Sequence, residues 1–318
     1  MKLGMMIRAA SEEEQLLCAQ LGVKYAITKA APELTGLNAP FDFDSLKAVK
    51  QRFTDKGIEL YGLEGDEFDM SRIKLGLDGR DEDIEKYCLM LKNMGKLGIK
   101  LLCYNFMAGI GWYRSDVKVP ERGGAVTCSF KKDATTEKEY IITPEQVFEN
   151  YKYFLNAVLP VAEQSGVKLG LHPDDPPIPN LKGYGRFLTN ADSYRKVLSL
   201  SNSKYHGITF CQATFQMMGE DIYSLMEEWK EKIFFLHFRD AKGTAENFKE
   251  TFHDNGPTDM VKLLSEAQKF CPDCIVRPDH TPSMAGEGEE NTGYTVKGNL
   301  FAVGYIRGIC EALKIKLD

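Results

Sequence analysis

Eight short apolar runs, each separated from the next by a longer amphipathic segment, constrain the fold more than any other feature of this sequence. The runs rarely alternate between apolar and polar residues, as expected of strands buried on both faces of a parallel sheet. They lie at 2–7, 25–28, 58–62, 100–105, 168–171, 207–210, 233–238 and 274–277. Because parallel strands need long crossover connections, the pattern predicts eight strand–helix units.

Glycine marks four of the junctions at which an amphipathic segment gives way to an apolar run. Glycine ends a helix there because it adopts the left-handed conformation without steric cost. The four are Gly22, Gly57, Gly98 and Gly166. Ser11 and Glu14 form a capping box, and Thr143 precedes a proline at a first helical position. Helices are predicted from 11 onward and near 44–56, 81–97, 143–165, 190–200, 221–232, 258–270 and 300–314.

Eight strands alternating with eight helices predict a (β/α)8 TIM barrel, formed by a single domain over residues 1–318. A doubly wound open sheet is the alternative, but no glycine-rich fingerprint follows the first strand. The longest stretch without periodicity lies at about 107–140, after the fourth strand. A stretch of this length predicts a loop on the catalytic face, either a lid, a binding loop or a disordered segment.

The composition argues against several classes of partner. The chain has 318 residues, a net charge of −6 and no long run of Lys or Arg, which disfavours nucleic acids and anionic membranes. No apolar run reaches transmembrane length, and the first residues turn polar too early for a signal peptide. We therefore expect a cytoplasmic protein that acts on a small molecule and forms a homo-oligomer, a dimer.

Four residues with metal-binding side chains lie where four consecutive apolar runs end. They are His172, Cys211, His237 and Asp279. In a barrel, catalytic groups come from the C-terminal ends of the strands, so these side chains are expected to converge. One histidine at a strand end is more often structural than a ligand, but four equivalent positions favour a divalent metal site. By ligand softness, cysteine and histidine favour Zn²⁺ or Fe²⁺, whereas aspartate favours Mn²⁺, and the sequence leaves this choice open.

Other residues near these positions are candidates for further roles. Arg239 lies two residues past His237 and is predicted to bind a substrate carboxylate. His280 adjoins Asp279, so it points elsewhere and is free to move protons. Asp174 and Asp175, which follow His172 closely, either support the ligands or shape the loop.

At these residues the sequence resembles the mannonate dehydratase family. The matching stretches include Leu171-His-Pro-Asp-Asp-Pro-Pro177, Leu236-His-Phe-Arg239 and Arg277-Pro-Asp-His280, together with 73–84, 98–107, 122–125, 209–211 and 293–294. The resemblance implies a xylose-isomerase-like barrel, with Mn²⁺ as the metal and Fe²⁺ or another divalent ion as alternatives. It implies the same four ligands, His280 and Tyr294 as the acid–base pair, and substrate contacts from Asn105, Arg122 and Arg239. The implied reaction, part of hexuronate catabolism, converts D-mannonate into 2-dehydro-3-deoxy-D-gluconate and water.

The N-terminal third departs from this family. Residues 3–8 lack the Arg-Trp-Tyr type of run expected to line the sugar pocket, and 63–67 also differ. Because the predicted chemistry is retained while the pocket walls change, we expect a different sugar acid to be preferred over D-mannonate. Two alternatives are a sugar isomerase or epimerase on the same barrel, which a Cys ligand disfavours, and a binding protein that has lost catalysis.

Overall fold

The structure is a computed structural model, and it describes residues 1–134, 138–288 and 293–318. The strands within these residues are β1 (Lys2–Met6), β2 (Tyr25–Thr28), β3 (Glu59–Glu64), β4 (Leu101–Tyr104), β5 (Asp116–Pro120), β6 (Val126–Lys131), β7 (Lys168–Leu171), β8 (Asn180–Leu181), β9 (Tyr184–Gly185), β10 (His206–Cys211), β11 (Ile233–Phe238), β12 (Asp240–Thr244), β13 (Asn247–Thr251) and β14 (Ile275–Pro278). The α-helices are α1 (Glu12–Gln20), α2 (Pro32–Thr35), α3 (Phe43–Thr54), α4 (Ser71–Leu75), α5 (Arg80–Leu97), α6 (Pro144–Ser165), α7 (Ala191–Leu198), α8 (Gln212–Met217), α9 (Ile222–Glu228), α10 (Met260–Phe270) and α11 (Val296–Ala312).

Eight of the strands are parallel and close into a barrel in the order β1-β14-β11-β10-β7-β4-β3-β2. Every residue of β10 and β11 is buried, as expected of strands that pack on the barrel interior and on the outer helices. The eight barrel strands coincide with the eight apolar runs to within two residues at each end. The predicted (β/α)8 barrel is therefore confirmed.

The predicted helix boundaries have identifiable caps. The side chain of Ser11 accepts a hydrogen bond from the backbone of Glu14, and Thr143 forms a capping box with Gln146. Gly98 and Gly166 end α5 and α6 with φ values of 72° and 70°, in the left-handed region that glycine favours. The sequence does not predict the short helices α2, α4 and α8, because a helix of one or two turns is too short to show a measurable apolar periodicity.

The predicted loop at about 107–140 is in part a β-hairpin, which corrects the prediction. Strands β5 and β6 join β12 and β13 in a four-stranded antiparallel sheet of order β12-β13-β6-β5. β5 is mostly exposed, so it carries no apolar period by which it could have been recognised. Residues 135–137 of the predicted loop lie outside the described residues. The two hairpins follow the C-terminal ends of β4 and β11, which places their sheet beside the expected site.

Among the described residues, no helix has both the length and the apolar character needed to cross a bilayer.

Candidate metal centre and active site

A cavity of about 500 Å³ lies at the C-terminal ends of the barrel strands. Six of the residues predicted for the site line it: Asn105, His172, His237, Asp279, His280 and Tyr294. Tyr294 reaches the cavity from the segment that precedes α11. The barrel thus brings together residues that are separated by up to 189 positions in the sequence, between Asn105 and Tyr294.

Three of the four predicted metal ligands form a tight group of donor atoms. The donor atoms of His172, Cys211 and His237 all lie within 4.8 Å of one another. Cys211 and His237 are register partners on the neighbouring strands β10 and β11. The fourth predicted ligand, Asp279, places its Oδ2 atom 3.5 Å from Nδ1 of His237 and 3.9 Å from Sγ of Cys211.

Cys211 has the electrostatic environment of a thiolate. Burial alone would raise the pKa of its thiol, but the positive charge of Arg239 and the neighbouring His172 outweigh burial and hold that pKa well below the usual value. The Nε atom of Arg239 lies 3.4 Å from Sγ, and the hydroxyl of Thr214 donates to Sγ at 3.1 Å. A thiolate is the form of cysteine that binds a metal.

His237 is buried without a hydrogen-bond partner. Its side chain is 1% exposed, and neither ring nitrogen makes a hydrogen bond with the described residues. A buried polar atom without a partner costs free energy, and an ion held between these side chains would remove that cost. Two imidazoles, a thiolate and a carboxylate at this point are a donor set that fits a divalent metal ion.

A second donor group that sequence reasoning missed shares His237. Glu64, Cys103 and His237 also place donor atoms within 4.8 Å of one another, and Oε1 of Glu64 lies 3.4 Å from Nε2 of His237. Burial opposes ionisation of Glu64, but Arg277 outweighs it and lowers the pKa of Glu64 to about 2. Glu64 ends β3, so the strand-end rule would have found it had the predicted strand not stopped two residues earlier.

His280 and Tyr294 form a hydrogen-bonded pair that a third residue orients. Nε2 of His280 lies 3.0 Å from the hydroxyl of Tyr294, and Nδ1 of His280 lies 2.8 Å from Oε1 of Glu250. Burial raises the pKa of Glu250, but Arg114 and His280 outweigh it and bring this pKa to about 2, so Glu250 is an ionised acceptor. Nδ1 of His280 therefore donates to Glu250, and in the neutral ring Nε2 is left as the acceptor toward Tyr294.

Glu250 lies beside His280 because it belongs to the four-stranded sheet formed by the two hairpins. Glu250 belongs to β13, and Arg114, just before β5, donates to it through Nε at 2.9 Å. Arg114 also donates to both carboxylate oxygens of Asp175, at 2.6 and 2.9 Å. Asp175 therefore supports the site through the two arginines, Arg114 and Arg239, which resolves the alternatives that the sequence left open for it.

Two of the three predicted substrate contacts do not line the cavity. Arg239 is fully buried and does not line the cavity, because its guanidinium donates to Asp175 at 3.0 Å and lies 3.1 Å from Oδ2 of Asp279. Arg122 lies at the surface, where its Nη1 atom donates to Asp254 at 2.9 Å. The guanidinium of Arg239 thus contacts the predicted ligands Cys211 and Asp279, whereas that of Arg122 lies at the surface.

Asn105 is the predicted substrate contact that does line the cavity. Its Oδ1 atom accepts a hydrogen bond from the buried Lys74 at 2.8 Å, and Lys74 also donates to both oxygens of Asp66. Asp66 lines the cavity as well. Lys74 therefore holds two polar side chains at the wall in fixed positions.

Comparison of this sequence with known proteins identifies mannonate dehydratases as relatives. The family profile described as D-mannonate dehydratase (UxuA) matches residues 30–143 and 136–317. The mannonate dehydratase of Enterococcus faecalis is 30% identical over 310 residues, which cover 85% of this chain and 86% of that protein. The mannonate dehydratase of Brachyspira hyodysenteriae is 30% identical over 332 residues, which cover 92% of each protein.

The fold also matches solved structures, one of which is a mannonate dehydratase. The mannonate dehydratase from Streptococcus suis serotype 2 superposes with a TM-score of 0.88 at 26% identity, covering 100% of this chain and 96% of that chain. The 3-keto-D-glucoside 4-epimerase YcjR from E. coli superposes with a TM-score of 0.63 at 13% identity, covering 97% and 99%, which is a similarity of fold alone. The resemblance found in the sequence is thereby confirmed, and the chain belongs to the mannonate dehydratase family, a family of hydro-lyases.

Proposed function

We propose that this chain removes water from a sugar acid, in the reaction that converts D-mannonate into 2-dehydro-3-deoxy-D-gluconate. The observation that carries the proposal is the hydrogen-bonded pair His280–Tyr294 in the same cavity as the donor cluster around His237. Membership of the family supports the same reaction.

The residues proposed to hold the metal are His172, Cys211, His237 and Asp279, with Mn²⁺ as the proposed ion and Fe²⁺ or another divalent ion as alternatives. The ring nitrogens of His237, which make no hydrogen bond with the described residues, and the lowered pKa of Cys211 support this set. A divalent cation supplies stabilisation of the negative charge that develops on the substrate carboxylate when the adjacent carbon loses its proton.

His280 and Tyr294 supply the two proton transfers of the elimination. One of them accepts the proton from C2, and the electron pair of that bond forms the C2–C3 double bond as the C3–O bond breaks. The other donates a proton to the leaving oxygen, which departs as water, and the enol then becomes the 2-keto product. The hydroxyl of Tyr294 lies 3.0 Å from Nε2 of His280, so a proton can pass between the two side chains.

Trp112 and Glu250 keep this pair in position. The indole of Trp112 contacts His280 edge-on, with ring centroids 5.4 Å apart, and Glu250 fixes the ring through Nδ1. A ring that is held on two sides loses little freedom when the substrate binds, which favours proton transfer.

A panel of sugar acids tests the proposal. Mn²⁺-loaded protein incubated with D-mannonate and related aldonic acids should release a 2-keto-3-deoxy acid. His280→Asn and Tyr294→Phe should each keep the metal and slow turnover by about 10²-fold or more. Ketose or epimer as the product would show that the chain is an isomerase or epimerase, and near-normal rates in both variants would remove the pair from the mechanism.

A further inference from the structure

The side chains that line the cavity fall into two chemically different groups. One group is polar and includes His172, His237, His280 and Asn105. The other group, called the apolar lobe below, consists of aliphatic and thioether side chains from β1 and the residue after it, and from α1, α2 and α11. These elements adjoin one another because β14, β1 and β2 are neighbours in the barrel. The side chains of the lobe are Met5, Ile7, Leu17, Leu34, Val296 and Leu300.

The polar groups beside the apolar lobe already have partners within the chain. The hydroxyl of Thr28 donates to the carbonyl of Ile7 at 2.6 Å, and the amide of Asn299 donates to the carbonyl of Thr295 at 2.9 Å.

Two charged groups that line the cavity beside the lobe are also paired. Nε of Arg8 donates to Glu14 at 2.6 Å, and Nζ of Lys29 lies 3.3 Å from Glu33. A hydroxyl group moved from water into the lobe would lose its hydrogen bonds to water and would have to compete with these existing partners to replace them.

Half of the lobe lies before the residues that the family profile matches. The profile begins to match at residue 30, whereas Met5, Ile7 and Leu17 precede that residue. The donor cluster, His280 and Tyr294 all fall within the matched residues. The lobe is therefore the part of the cavity that the family profile describes least completely.

We propose that the preferred substrate is a sugar acid whose end remote from the carboxylate is apolar, either deoxygenated or carrying an alkyl or aryl group. The inference rests on the proposed dehydration, which holds carbons 1 to 3 at the donor cluster and at His280–Tyr294. The remaining carbons extend away from that cluster, and the apolar lobe is the part of the cavity left for them. Each buried CH₂ group contributes about a fourfold gain in affinity, and each hydroxyl left without a partner costs about tenfold.

Binding and turnover of three ligands test the inference separately. The ligands are D-mannonate, 6-deoxy-D-mannonate and 6-O-benzyl-D-mannonate, and calorimetry on the Mn²⁺-loaded His280→Asn variant measures binding without reaction. We expect at least one of the two apolar-ended ligands to bind about tenfold more tightly than D-mannonate. Dehydration of the same ligands by the unmodified protein tests the proposed function.

Two neighbouring leucines of α1 provide a matched pair of variants. Leu17→Gln places an amide in the lobe. It should bring the ratio between the affinity for the apolar-ended ligands and the affinity for D-mannonate close to one. Leu16→Gln makes the same change one residue away, at a side chain that is 52% exposed and does not line the cavity, and it should leave the ratio unaltered.

Two results would overturn the inference. One is binding of D-mannonate as tight as that of both apolar-ended ligands. The other is a Leu17→Gln variant that changes the oligomeric state in sedimentation while the affinity ratio stays the same, because the lobe would then be covered by a second copy. A tenfold affinity ratio without dehydration of any ligand would support the ligand class and refute the proposed reaction.

Discussion

At the scale of single residues, the proposed metal site depends on the donor atoms of His237 and Cys211. His237→Ala removes the imidazole shared by both donor groups, and Cys211→Ala removes the thiolate. Each variant should lose most of the roughly one equivalent of divalent metal that a four-ligand site binds. Elemental analysis of the purified proteins measures the loss. Full metal content in both variants, with the fold intact, would show that the metal binds elsewhere or not at all.

A second prediction concerns the orientation of His280. Glu250→Gln replaces an acceptor by a group that can also donate, so the tautomer of His280 is no longer fixed. We expect kcat to fall about 10- to 100-fold while metal content and KM change little, and Glu250→Asp to restore part of the loss. Steady-state kinetics at a temperature where the variants are folded measures both effects. A kcat within twofold of the unmodified protein would mean that Glu250 only supports the structure.

Residues at strand ends could be predicted from the sequence, whereas residues that reach the site from the hairpins could not. His172, Cys211, His237 and Asp279 each follow an apolar run, and their convergence follows from barrel geometry alone. Arg114 and Glu250 are 136 positions apart and lie on different hairpins, and no local pattern links them. The ion pairs of Arg239 could not be predicted for a related reason, since the carboxylates that bind it come from distant parts of the chain.

At the scale of elements, Arg114 ties the hairpin sheet to the barrel. Its side chain is fully buried between the carboxylates of Asp175 and Glu250. Removing one partner of a buried ion pair leaves charge uncompensated, so Arg114→Met should lower the free energy of unfolding by about 3–5 kcal/mol. Denaturant unfolding monitored by circular dichroism measures the change.

Arg122→Met is the matched control for this prediction. Arg122 belongs to the same hairpin, but its side chain is 47% exposed and pairs with Asp254 at the surface. Exposed pairs contribute about 1 kcal/mol or less, so this variant should unfold much like the unmodified protein and retain its activity. Equal destabilisation by the two variants would show that burial of Arg114 has no special effect.

The same elements show what the sequence can predict of the fold. The eight barrel strands are short, apolar and bounded by helix caps, so both their positions and their order follow from pattern and chirality. The four-stranded sheet is stabilised by pairing between β6 and β13, two strands from inserts far apart in the chain. Such pairing is set by tertiary context, so the hairpins were not predicted.

At the scale of the whole molecule, buried histidines make stability depend on pH. Burial lowers the pKa of His253 from 6.5 to about 4, so the unfolded chain binds a proton more readily than the folded chain. The contribution of His253 to the free energy of unfolding is therefore fully present above pH 6.5. It is lost as the pH drops from 6.5 to 4, which lowers the free energy of unfolding by about 3 kcal/mol.

Unfolding of the metal-free protein between pH 4 and 7 measures this effect without the contribution of metal release. His253→Gln should flatten the slope over that window. His206, which is buried in β10 and also has a lowered pKa, should account for part of the slope that remains. An unchanged slope in His253→Gln would mean that other groups cause the acid sensitivity.

The central claim is that the donor cluster and the His280–Tyr294 pair dehydrate a sugar acid, and the reaction in D₂O tests it most directly. Mn²⁺-loaded protein is incubated with D-mannonate and with 6-deoxy-D-mannonate, and the products are followed by NMR and mass spectrometry. We predict a 2-keto product that has lost one water and the C2 hydrogen and carries one deuterium at C3. A product that retains every oxygen and carries deuterium at C2 would contradict the claim and identify an epimerase.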